Sequence, residues 1–122
     1  MDMKLELIAL PVSDVDRAKA FYVEQFGFAA EHDHDMGDIR FVQLTPPGSA
    51  CSIAIGKGIV DTEPGSVAGL GLVIASADEA RAELLARGAQ VSEVQEFPWG
   101  RFVFLSDPDG NRWSLQELPQ RG

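Results

Sequence analysis

The chain predicts an α+β fold in which the order strand, helix, three strands occurs twice. Three observations carry that prediction. Residues 40–48 (RFVQLTPPG) and 101–110 (RFVFLSDPDG) repeat one another, Arg40, Phe41, Val42 and Leu44 matching Arg101, Phe102, Val103 and Leu105, and each copy runs into a Pro- and Gly-bearing turn. Self-similarity of this kind marks duplicated supersecondary units. Upstream of each copy, a short apolar run leads into helix-start chemistry and then a glycine stop. Between the halves, residues 56–66 (GKGIVDTEPGS) have the Gly and Pro content of a connector.

Each element has a local reason. Residues 5–12 are short, apolar-rich and broken by Pro11, which reads as a strand. Ser13 offers an N-cap hydroxyl, Asp16 favours the positive end of the helix dipole, and Gly27 suits a left-handed stop. Val15, Ala18 and Tyr22 form the stripe of this helix that packs on a sheet. Residues 29–35 form a polar-leaning strand before the turn Met36-Gly37-Asp38; the first repeat copy and the run 51–55 (CSIAI) supply the next two strands. In the second half, residues 70–75 are the strand, Ser76 with Glu79 makes a capping box, Ala80 and Leu84 mark the packed stripe, and Gly88 is the stop. Residues 90–97, the turn Pro98-Trp99-Gly100, the second repeat copy and residues 112–116 complete it. The division is one domain over residues 1–122, with module one at 4–56, connector at 57–67 and module two at 68–118.

Composition narrows the function classes. A chain of 122 residues buries roughly two-thirds of its unfolded surface and needs no staple to fold. With 45% hydrophobic and 24% charged residues it has a globular profile, not a disordered one. Nineteen acidic against ten basic side chains give a net charge of -9, so nucleic acid or an anionic membrane would be approached against the protein's own field. Cys51 is the single cysteine, which excludes an intrachain disulfide framework. The start MDMKLELIAL has no basic n-region or signal-length apolar run, and no segment is long enough to span a membrane. A cytoplasmic location is the expectation.

The doubled βαβββ order, with SDVDRAKAFYVEQFGF after the first strand and DPDGN before the last, resembles the vicinal oxygen chelate superfamily: glyoxalase I, bleomycin- and fosfomycin-resistance proteins and extradiol dioxygenases. The resemblance runs from Leu5 to Leu118. It implies that the strands curl into a cupped, barrel-like mixed sheet with the helices on its convex face, and that a ligand occupies the concave side, commonly in a homodimer. It further implies four metal-ligand positions on the cup face, occupied here by Leu7, Ala54, Gly71 and Ser114. None has a side chain that normally binds a divalent ion. Moving the register to Glu6 would also put Ile8 and Leu10 into the cup in place of the core. The resemblance therefore implies a metal-free, cofactor-free protein that sequesters or senses a small organic ligand. The alternative is a glyoxalase-like lyase or isomerase, or a dioxygenase, with a divergent metal site; a partner-binding module with a self-filled cup is a third option.

Several residues are candidates for that function. His32 and His34 are two apart, so on a strand both point to one face, either as a metal pair or proton relay or as a solvated hairpin arm. Trp99 lies in a turn, where an indole could stack on a flat ligand beside Arg101, cap the core or contact a second copy. Arg40 and Arg101 occupy equivalent repeat positions and could present two guanidinium groups to an anion, or pair with nearby carboxylates. Arg112 is a further place for an anion to bind. Ser114 and Gln116 are expected to face the cup, whereas the alternating Trp113 joins the core. Cys51 has no activating neighbour and reads as a small hydrophobe. Phosphate-cradling glycine loops and Gly-x-Ser-x-Gly elbows are absent from the sequence.

Overall fold

The computed structural model describes residues 1–119. Module one comprises β1 (Leu7–Ala9), α1 (Val15–Ala20), β2 (Ala29–Asp35), β3 (Arg40–Thr45) and β4 (Ser52–Lys57). Module two repeats the order with β5 (Leu70–Ile74), α2 (Ala77–Ala86), β6 (Gln95–Phe97), β7 (Gly100–Ser106) and β8 (Arg112–Glu117). The strands form two mixed four-stranded sheets, ordered β1-β4-β3-β2 and β5-β8-β7-β6. In each, the strand before the helix pairs in parallel with the last strand, and the remaining pairs are antiparallel. A helical crossover is what a parallel neighbour requires.

The helix starts show where local chemistry chose between candidates. Asp14, not Ser13, caps α1: its carboxylate accepts the Arg17 backbone N–H at 3.0 Å. Ser13 is drawn to the other module, donating its backbone N–H and hydroxyl to the Asp109 carboxylate. Ser76 caps α2 by accepting the Glu79 N–H at 3.2 Å. After Ala20 the first helix widens into a π-helical turn over Phe21–Gln25, closed by Gly27 at φ 83°. Of the anticipated strand at 90–97, only Gln95–Phe97 forms a ladder. Upstream, Ser92 replaces regular pairing, its hydroxyl accepting the Phe104 N–H while its carbonyl accepts from Arg81.

Alternation along the strands separates two faces. Leu10, Val42, Leu44, Ile53 and Ile55 of module one and Val103, Leu105, Trp113 and Leu115 of module two join Tyr22, Phe26, Phe28 and Leu84 in one core cluster. The rings of Phe26, Phe28 and Tyr22 surround Trp113 at centroid distances of 5.3, 5.5 and 6.0 Å, edge-to-face. Both sheets thus contribute their helix-side faces to a shared interior. Their opposite faces lie outside it: Ala54 and Phe102 are buried yet do not belong to that cluster.

A buried polar chain crosses this interior. Trp113 Nε1–H donates to the Tyr22 hydroxyl at 3.0 Å, and that hydroxyl donates to Asp107 Oδ2 at 2.8 Å. Asn111 Nδ2 donates to the same oxygen and to the Pro11 carbonyl, while Asn111 Oδ1 accepts the Val67 N–H. Asp107 Oδ1 accepts the backbone N–H groups of Asp109, Gly110 and Asn111. Every buried group in this network is partnered, as the cost of an unmade bond in a dry interior demands. Burial, reinforced by the Asp107 carboxylate, pushes the Tyr22 phenol far above its ordinary pKa.

Candidate functional site

The resemblance puts a ligand on the concave side, which here corresponds to the two outward sheet faces. Register defines them, because cross-strand partners project to the same side. On the first sheet the face comprises Leu7 and Ala9, Ser52 and Ala54, Phe41, Gln43 and Thr45, and His32 and His34. On the second sheet it comprises Gly71 and Val73, Arg112, Ser114 and Gln116, Phe102, Phe104 and Ser106, and Gln95 and Phe97.

The second face carries a row of aromatic rings. Trp99 stacks on Phe97 at 5.3 Å and 15°, Phe97 meets Phe102 edge-to-face at 5.6 Å, and Phe102 lies nearly parallel to Phe104 at 5.8 Å and 4°. Trp99 and Phe97 are 59% and 39% exposed, in a chain whose other aromatic side chains are buried or half-buried. The β6–β7 turn that holds Trp99 is pinned to the sheet, since Gln116 Nε2 donates to the Trp99 carbonyl at 2.7 Å. The tight turn requires Gly100, at φ 146°, because a Cβ there would collide with the Glu117 carbonyl. Ser114, beside Phe104, turns its hydroxyl toward the Leu70 carbonyl at 3.4 Å.

Arg40 and Arg101 lie elsewhere. Arg40 stands two residues before the buried Val42 and Arg101 two before the buried Val103, so strand parity sends both guanidinium groups to the helix side. There Arg40 meets Asp33 at 2.9 Å and Asp16 at 2.8 Å, and Arg101 meets Asp78, Glu96 and Glu117. Hydrogen bonds from Arg40, then Lys19, hold the Asp33 carboxyl well below the usual carboxylate range. Asp33 and Asp16 in turn raise Arg40, and Asp78 raises Arg101. The internal symmetry of the repeat therefore appears as two ion-pair clusters on the convex side, each tying a strand to its own helix.

His32 and His34 do share one face, with their rings stacked at 5.8 Å, and both are exposed. They sit opposite Gln43 and Phe41. Among the described residues, no three His, Cys, Asp or Glu side chains converge as a metal site would need. Cys51 is half-buried just before β4, its thiol 3.6 Å from the Ser52 carbonyl. Among the described residues, no helix is long and apolar enough to cross a membrane.

With this geometry in hand, comparison with known proteins assigns the family. The model of the Glyoxalase/Bleomycin resistance protein/Dioxygenase superfamily matches residues 4–115. The chain belongs to that superfamily. Among solved structures it is similar to TnmS3, an antibiotic binding protein from Streptomyces sp. CB03234, at 36% identity and a TM-score of 0.87, covering 97% of this chain and 98% of that one. A glyoxalase/bleomycin resistance protein from the same Streptomyces strain is 37% identical, with a TM-score of 0.81 and coverage of 93% and 99%. Among curated proteins, the uncharacterized YetH of Bacillus subtilis (strain 168) is 26% identical over 120 residues, which is 96% of this chain and all of YetH.

Metal-dependent members of the glyoxalase superfamily hold a divalent ion on the cup face, and the residues here do not fit one. Leu7 pairs with Ser52, Ala9 with Ala54, and Gly71 with Ser114, so the four positions that the resemblance assigns to metal ligands lie on the outward faces by register. Two alkyl side chains, a glycine and a serine hydroxyl do not form the donor set of a divalent metal. What sequence reasoning missed on this face is the aromatic row. Its signal was present in the repeat: Phe102 and Phe104 alternate with the core residues Val103 and Leu105, so they had to face away from the core.

Proposed function

We propose that this glyoxalase-superfamily protein binds a small organic molecule on its outward sheet faces and sequesters or senses it, without turnover and without a metal or other cofactor. The observation that carries this reading is the exposed Phe97–Trp99 pair leading into the Phe102–Phe104 row, on a face with no metal-binding side-chain set. Exposed, preordered rings are costly to leave in water and suited to a flat ligand. The similarity to TnmS3, described as antibiotic binding, supports the same class of ligand.

Enclosure of the ligand calls for a second copy of the chain. The two faces flank a shared core, and β1 and β5 are edge strands with one unpaired side. Leu5, Leu7 and Val73 on or beside these edges are exposed. In the proposed homodimer, a module of each copy closes over a module of the other, and the assembly works in the cytoplasm. The -9 charge speaks against a nucleic-acid partner.

The test is a thermal-shift screen of chelator-treated protein against small organic molecules, with elemental analysis of protein purified without chelator and light scattering in parallel. Expected are ligand-dependent stabilisation that survives EDTA, no stoichiometric metal, and a particle of twice the 13.2 kDa chain mass. Stoichiometric zinc, nickel, iron or manganese would overturn the metal-free reading, and the His34→Ala variant would then show whether the histidine pair holds it. A screen without any stabilising molecule would overturn the binding reading.

A further inference from the structure

The second sheet has an open edge that lies off the outward faces. β5 pairs with β8 alone, and a parallel ladder engages every second residue of a strand. On β8 the Arg112 N–H points to this side, donating to the Val67 carbonyl, and the Ser114 hydroxyl reaches the Leu70 carbonyl. Leu70, Leu72 and Ile74 therefore spend their peptide groups on β8, which leaves those of Gly71 and Val73 on the open edge with no strand to bond. Beside that edge, on the helix side, a cleft of about 490 Å³ separates the modules. Phe26, Phe28, Leu72, Leu84 and Leu115 form its apolar walls, and the β3–β4 turn at residues 46–49 closes it from module one. Among the described residues that line it, Glu83 alone is charged, on the face of α2 that also carries Ala80. Its carboxylate enters no ion pair or hydrogen bond among the described residues, whereas Asp78, Arg81 and Arg87 around it are engaged.

We propose that this cleft binds a short apolar peptide with a free amino end, added to β5 as a further strand. Main-chain bonds to Gly71 and Val73 hold it, its ammonium meets Glu83, and alternate side chains fall on the side of Leu72 and Ile74, into the cleft. Gly71 and Val73 stand roughly 6.6 Å apart at a rise of about 3.3 Å per residue, so about three peptide residues span the edge. That length suits the cleft, whose volume lies within the ~300–1,000 Å³ range of small-molecule sites. A hydrocarbon of the same size would shut water away from the two open peptide units and leave them unpaired, a cost that a peptide avoids. Charge agrees: a chain of net charge -9 with one carboxylate and no base in the cleft favours an ammonium end over a carboxylate end. The site is separate from the outward sheet faces, so it stands whether or not those faces bind a ligand.

The experiment titrates the full chain with leucyl-valyl-leucine amide, its N-acetylated form and an analogue N-methylated at the valine, by calorimetry, with amide NMR spectra locating the site. Expected are saturable binding of one peptide per chain, and about tenfold weaker binding of the acetylated and the methylated forms, the scale of one lost bond at a desolvated site. The amide signals of Gly71 and Val73 should move and those of Phe97 and Phe102 should not. Glu83→Gln should remove the preference for the free amine while keeping the effect of methylation. Val73→Pro should weaken the free and acetylated peptides about tenfold, since an edge strand accepts proline where the N–H faces outward. Circular dichroism checks the fold of both variants, and the methylated peptide makes the same test on the unaltered protein. A free-amine preference that survives Glu83→Gln, an N-methyl peptide that binds as well as its parent, signals that move on the outward face, or no peptide binding would overturn the inference. Light scattering on the same samples tests the rival occupant: an edge taken by a second copy shows as peptide affinity that falls as the dimer forms, and that too would overturn it.

Discussion

Replacing Asp107 by asparagine changes one atom's chemistry at the centre of the buried polar chain and should cost a large fraction of the protein's stability. Asparagine can keep one acceptor oxygen, which the three converging backbone N–H groups of Asp109, Gly110 and Asn111 will claim. The amide NH2 is then forced to the Oδ2 position, where it faces two donors, the Tyr22 hydroxyl and Asn111 Nδ2. The Asn111 amide is fixed by Val67 and Pro11, and a Tyr22 hydroxyl that turned to accept the new amide as well as Trp113 would leave its own hydrogen without the acceptor that Asp107 supplied. Each buried donor left without an acceptor costs ~1–3 kcal/mol, so the substitution should remove ~4 kcal/mol of a total that is ~5–15 kcal/mol for domains of this kind. Urea unfolding at neutral pH reads this as a midpoint lowered by about 2 M at unchanged slope. Adding Tyr22→Phe removes one of the two frustrated donors, so the double variant should lose ~1–2 kcal/mol less than the sum of the single losses. An Asp107→Asn midpoint within ~0.3 M of the parent, or strictly additive losses, would refute the account of the network.

Two further outcomes follow from the same interior. Tyr22 is the single tyrosine of the chain, so absorbance at 295 nm follows it alone; with its pKa raised, no tyrosinate should form near pH 10 while the fold persists. A group whose folded pKa lies above the unfolded one contributes stability below the unfolded value and loses it as pH rises, so unfolding should become steeply easier above about pH 10; a tyrosinate step near 10 in folded protein would contradict the burial. Gly65, at φ 79° in the connector, has no room for a Cβ against the Asp109 carbonyl, whereas Gly37 at φ 85° faces open space. Gly65→Ala should therefore cost ~2 kcal/mol or more and Gly37→Ala only ~1 kcal/mol from backbone strain, measured by thermal unfolding.

What the sequence disclosed and what it withheld divide along a physical line. Strand identity and facing depend on neighbours two residues away, so the repeat located β3, β4, β7 and β8, and alternation put Trp113 in the core. The same rule applied to Arg40 and Arg101 would have sent them to the helix side, because Val42 and Val103 are core. Partners distant in the chain were not legible. Ser13 reads as the helix cap from its neighbours alone, whereas Asp109, 96 residues away, takes its N–H, and no local pattern links Tyr22 with Asp107 across 85 residues. The aromatic row was half legible: Phe102 and Phe104 by alternation, but not the stacking of Phe97 and Trp99, which depends on how the turn folds back.

The shared core also sets the timetable on which this chain can be made. A module whose interior were its own could close as soon as its last strand left the ribosome. Here Tyr22, Phe26 and Phe28 find their central partner, Trp113, only when β8 has emerged. The first half must wait through synthesis of the second with those rings uncovered, and contacts of such long sequence separation close slowly. Truncation before Trp113 leaves both halves, not one, without the ring at the centre of their interior.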